Sequence, residues 1–135
     1  MSTLNVDIVN PQSGTSITVS GNLIVTGTNN IRPYKVYAGL ISQTGTDDPT
    51  VVIMENTIGN IVWSRTAAGN YLATLTNAFV VDKTHLMVGT LQYLYNTSCI
   101  FARNNANILA LQIQTNNIIA DGILDNTSIE IRVYN

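Results

Sequence analysis

Cysteine and histidine are almost missing from this chain of 135 residues, which has one of each, Cys99 and His85. A lone cysteine closes no internal disulfide, so the fold is not stapled for an oxidising environment, and Cys99 reads as a passive thiol. A lone histidine excludes a two-histidine metal site or a histidine-rich pH switch within one chain. Three copies of His85 about a threefold axis could still meet at a metal, but an imidazole at the surface or a strand end is the plainer reading. Nucleophilic catalysis needs a hydroxyl or thiol beside a base. Only His85 could be that base, and no Gly-x-Ser-x-Gly phrase is present.

Charge is scarce as well. Only 10% of residues are charged and the net charge is −2. No basic stripe exists to neutralise phosphates, so neither nucleic acid nor an anionic membrane surface is expected as a partner. No apolar run approaches the ~20 residues of a membrane-spanning helix. The opening residues, Met1-Ser2-Thr3-Leu4-Asn5-Val6-Asp7, lack the basic start and apolar block of a secretion signal, which points to folding in a cytoplasm. Glu55 and Glu130 are the only glutamates, and nothing in their spacing suggests the placed carboxylate pair of a glycosidase. Asp47-Asp48, near Thr44 and Thr46, offers oxygen ligands without the regular spacing of a calcium loop, and reads as a turn before Pro49. These absences point to a non-enzymatic protein with no cofactor.

What the chain does have is hydrophobic residues at 45%, with 17 asparagines and 17 threonines to keep its surface wet. Threonine suits strands and asparagine suits turns. The length is that of about one domain, enough to hide roughly two-thirds of the unfolded surface. Turn signals recur at short intervals, among them Gly45-Thr46-Asp47-Asp48-Pro49, Asn56-Thr57-Ile58-Gly59-Asn60, Ala68-Gly69-Asn70 and Asn116-Asn117. Short apolar runs lie between them. This predicts an all-β fold, a small antiparallel sandwich or barrel.

Alternation is clearest over 128–134, where Ile129, Ile131 and Val133 form a dry face, and over 108–114, where Leu109, Leu111 and Ile113 do. In 61–65, Ile61 and Trp63 share a face. Residues 34–41 and 50–54 are denser in apolar side chains and read as central strands; 71–76 and 86–95 complete the set. A single helical turn over 117–124 is the alternative there, since Ile119 and Ile123 lie four apart. Glu55 and Arg65 flank the 56–60 turn, and a hairpin would place them to form a structural ion pair.

The first thirty residues differ. Ile17, Val19, Leu23 and Val25 make one narrow apolar stripe among small polar residues. A lone ribbon of this kind is marginal in water, so residues 1–32 read as an extended arm or stem before a compact β-domain over 33–135. The stripe is a candidate oligomer contact if copies wind together. The alternative is a hairpin packed on its own domain.

The phrase Gly21-Asn22-Leu23-Ile24-Val25-Thr26-Gly27-Thr28 resembles stem segments of tailed-bacteriophage fibre proteins. Ala38-Gly39-Leu40-Ile41-Ser42-Gln43-Thr44-Gly45-Thr46, followed by Glu55-Asn56-Thr57, Trp63, Arg65 and Gly69-Asn70-Tyr71, is similar to a small β-domain of phage head-fibre and related virion proteins. The likeness covers roughly residues 21–75. It departs from the pattern at Gly39, usually a larger residue, and at Asn60, usually glycine. The resemblance implies a homotrimeric virion protein, a fibre, spike or capsid-surface component, assembled in the host cytoplasm beside capsid or tail proteins.

A second function remains open. Trp63, Tyr93 and Tyr95 could present aromatic faces to a partner or a host-surface glycan, although a single Trp in a small β-domain is more often core. Asn96-Thr97-Ser98 and Asn126-Thr127-Ser128 match the N-glycosylation pattern, and read as chance matches in an Asn/Thr-rich chain.

Overall fold

The computed structural model describes residues 32–89, 91 and 96–135. The chain divides into two units, Met1–Ile31 and Arg32–Asn135. The stripe of Ile17, Val19, Leu23 and Val25 lies outside the described residues, as do Tyr93 and Tyr95.

The described residues are all-β, with no helix among them. The nine strands are β1 (Tyr34–Ser42), β2 (Thr50–Asn56), β3 (Val62–Ala67), β4 (Asn70–Thr74), β5 (Thr84–Val88), β6 (Thr97–Arg103), β7 (Ile108–Thr115), β8 (Ile118–Ile119) and β9 (Thr127–Tyr134). They form two antiparallel sheets packed as a sandwich. One runs in the order β2-β1-β9-β5, and the other β3-β4-β7-β6 with β8 paired to the end of β7.

Period-two alternation dictates which side chains meet between the sheets. Tyr37, Ile41, Ile129, Ile131 and Val133 come from the first sheet, and Trp63, Tyr71, Leu109, Leu111 and Ile113 from the second; all are buried. Phe79 and Leu124, from connecting segments, close the core at 0% and 1% exposure. The dry faces expected over 108–114 and 128–134 are therefore the core faces of β7 and β9.

Three expectations need correction. Residues 50–54 belong to β2, an edge strand rather than a central one. Its apolar density misleads because Val52, Ile53 and Met54 are 65%, 51% and 72% exposed. The 56–60 turn joins no hairpin: it carries the chain from the edge of one sheet to the edge of the other. Asn56 Oδ1 accepts the N–H groups of Ile58 and Gly59, which fixes that crossing. Residues 117–124 make no helical turn. Asn116 and Asn117 both take left-handed φ, 51° and 63°, as a two-residue hairpin turn between β7 and β8 demands.

β2 also carries a bulge. Ala38 pairs with Glu55 and Gly39 with Ile53, so Met54 is an extra residue with no partner on β1. A side chain at Gly39 would stand 2.6 Å from the Val52 carbonyl oxygen and 2.7 Å from Val51 Cγ1. This close approach explains why glycine stands at this position.

Candidate functional site

The densest polar assembly among the described residues closes one end of the sandwich. Asp121, on the segment between β8 and β9, accepts from Arg65 Nε at 3.0 Å and from Arg65 Nη2 at 2.7 Å, a two-pronged fork. The Gly69 N–H reaches the same carboxylate at 2.9 Å and the Tyr71 hydroxyl at 3.1 Å. Tyr71 also stands 3.1 Å from Gln43 Oε1, so its single proton lies between two acceptors. Gln43, buried after β1, accepts from the Gly122 N–H and donates to the carbonyls of Gly45 and Asp47. Asp48 Oδ1 accepts the Arg65 backbone N–H at 2.7 Å and caps the edge of β3.

Electrostatics follow from these contacts. The Arg65 fork, with the Gly69 and Tyr71 donors, holds the Asp121 carboxyl down at about 2 against burial, which pulls the other way. Burial, reinforced by Asp121, pushes the Tyr71 hydroxyl well above its ordinary value. A carboxylate saturated by donors is a poor base and a poor nucleophile. The cluster therefore works as a brace tying the loop after β1, strand β3, the β3–β4 turn and the β8–β9 segment together.

The expected Glu55–Arg65 pair does not form. Arg65 goes to Asp121, while Glu55 accepts from Arg32 Nη1 at 2.6 Å on the open surface. Glu55 lies on the first sheet and Arg65 on the second, which separates them. Sequence reasoning missed Asp121 because it sits 56 residues from Arg65 in a segment without strand periodicity.

Trp63 is 8% exposed and lies in the core beside Phe101, with ring centroids 6.2 Å apart. Its indole therefore offers no face to a glycan, because period-two alternation turns it inward with Ile61. Among the described residues its buried N–H finds no regular hydrogen bond, nor does the Thr127 hydroxyl. The indole N–H nonetheless acts on the Tyr37 hydroxyl, opposing the upward shift that burial causes there. His85 stands exposed on β5. Cys99, half-buried on β6, has its thiol pushed up to about 11 by burial.

Of the hollows that lie apart from the brace, two differ sharply in lining. One, of about 440 Å³, is lined by Asn96, Thr97, Ser98, Asn116 and Asn117, all uncharged. The other, of about 240 Å³, is a trough on the outer face of the first sheet, bordered by Met54 and Met87. Among the described residues no three His, Cys, Asp or Glu side chains gather as a metal site would require.

No family model matches the chain, and neither a curated protein nor a solved structure matches it.

Proposed function

We propose that this chain is a non-catalytic structural protein of a bacteriophage-like particle, a fibre, spike or capsid-surface component that acts as a homotrimer. The reading rests on the fibre-like and head-fibre-like phrases over residues 21–75. The observation that carries it furthest is the pairing of scarce charge with exposed large apolar side chains: Val52, Met54 and Met87 stand 65%, 72% and 49% in solvent on a sandwich whose core is already filled. Such side chains on a monomer mark a surface that another polypeptide covers. The apolar stripe of Ile17, Val19, Leu23 and Val25 supplies the second element of assembly in this reading. Capsid or tail proteins are the further partners, and no cofactor is involved. Light scattering on the purified full chain tests the proposal: a mass three times that of the chain is expected, and a single-chain mass at every concentration overturns it.

A carbohydrate-binding or adhesive module is the second reading. Burial of Trp63 takes away one of its expected residues. Its support is the uncharged amide- and hydroxyl-lined hollow at Asn96, Ser98, Asn116 and Asn117, a lining that suits neutral polyols. Titration calorimetry with neutral oligosaccharides tests it. Heat that saturates and disappears in an Asn116→Ala/Asn117→Gly variant supports it; no saturable heat overturns it.

A further inference from the structure

The outer face of the β2-β1-β9-β5 sheet carries apolar side chains where an antiparallel sheet facing water carries polar ones. Ala38, Glu130 and Met87 share one register row across β1, β9 and β5, and Val52, Leu40 and Ser128 share the next across β2, β1 and β9. The bulge adds Met54 to this face as its most exposed large side chain, at 72%. Met54 and Met87 stand at opposite margins of the trough, whose floor is made by the small residues Ala38, Gly89 and Ser128. At Gly89 a Cβ would lie 1.9 Å from Ser128 Oγ, so the floor is set as low as the backbone allows.

Charge on this face is balanced within the chain. Arg132 donates through Nε to Glu130 on its own strand and lies over the Tyr34 ring, 4.9 Å from the centroid. Glu55, at the margin, is held by Arg32. Among the described residues the other titratable side chains there are His85, level with Arg132 in register, and the paired Tyr34 and Tyr134. A charged partner, whether nucleic acid, anionic lipid or acidic peptide, finds no unbalanced charge to pair with. An identical face is not repelled by it. Four strands at their usual spacing give a face roughly 19 Å wide and about 25 Å long, on the order of 500 Å² in projection. That is more than half of the ≈800 Å² that each partner contributes to a standard interface.

We propose that this face is a contact between copies of the chain, in which Met54 and Met87 of one copy enter the trough over Ala38 and Ser128 of another. Methionine suits the role, being unbranched, polarizable and able to adapt to an irregular hollow. The inference rests on the self-assembly reading above and adds to it the surface and the side chains that meet.

The test uses the full chain in three forms: the natural sequence, Met54→Lys/Met87→Lys, and Val19→Asp/Leu23→Asp in the arm. Mass is followed against concentration by light scattering, with circular dichroism to check that each form keeps its β spectrum. The methionine variant should need at least tenfold more protein to reach half-association. An unchanged midpoint for that variant overturns the proposal; if the arm variant alone then dissociates, assembly through the arm survives without the face. A natural chain that stays single at all concentrations overturns both and leaves the face to a different protein. Peroxide oxidation gives a readout without mutation: sulfoxide formation at Met54 and Met87, read by peptide mass spectrometry, should slow several-fold on association. Equal rates in dilute and concentrated samples overturn the contact.

Discussion

Arg65 and Asp121 meet in a fork, Nε to Oδ1 at 3.0 Å and Nη2 to Oδ2 at 2.7 Å, across 56 residues of chain. Fork geometry fixes both planes at once, which a single-point ion pair does not. The pair joins β3 to the segment leading into β9, and so ties the edge of one sheet to the approach of the other's central strand.

The acid response of the fold follows from that pair. The Asp121 carboxyl is lowered from 3.8 to about 2, chiefly by Arg65. A depressed carboxyl stabilises the folded state above its unfolded value, and the contribution is lost as pH falls through its folded value. Stability measured by urea unfolding should therefore drop between about pH 4 and pH 2. In Asp121→Asn that drop should be shallower, and overall stability at pH 7 lower. Equal pH slopes for the two proteins would sink the assignment.

Thr127 is 1% exposed, and its hydroxyl has no hydrogen-bond partner among the described residues. Thr127→Val keeps the shape and removes the orphan, so it should raise stability by about 1–3 kcal/mol. A lower melting temperature in calorimetry would show that the hydroxyl is satisfied after all.

Two glycines with left-handed φ separate strain from collision. Gly122 (φ 73°) has open space around a would-be Cβ, whereas at Gly69 (φ 60°) that atom would stand 2.6 Å from the Ile113 carbonyl oxygen. Gly122→Ala should cost roughly 1–2 kcal/mol from backbone strain alone. Gly69→Ala adds overpacking of a further ~1–3 kcal/mol, and it displaces the N–H that Asp121 accepts. Chemical denaturation of the two variants should rank them in that order.

Cys99 should be slow to alkylate. With its thiol at about 11 instead of 9.0, the thiolate fraction near pH 8 falls on the order of a hundredfold. Iodoacetamide labelling followed by mass spectrometry should be correspondingly slow in buffer and recover in denaturant.

Much of the core was legible because alternation writes it directly. Ile129, Ile131 and Val133, like Leu109, Leu111 and Ile113, lie on the faces their spacing predicted. β6 was not legible: Ile100 and Ala102 point outward while Cys99 and Phe101 point inward, so both faces look apolar and the period is hidden. The exposed run Val52-Ile53-Met54 misled in the opposite direction, because density of apolar residues does not distinguish a buried centre from a sticky margin. The Asp121 brace was beyond reach for a third reason. Its members come from four separated segments, and only the completed topology brings them together. Asn116-Asn117 held the information that rules out a helical turn, since two successive left-handed residues favour a hairpin.

The pairing of β1 with β9 places nearly the two ends of the described sequence side by side, Tyr34 opposite Tyr134, at the middle of a sheet. A ribosome making this chain must therefore release β9 before that sheet has a centre. Until then Tyr37 and Ile41 lack their neighbours on one side, and β5 has no strand to pair with among the described residues. Folding of that sheet waits for β9, and a chain lacking residues 127–134 loses the interior of a layer rather than a frayed edge.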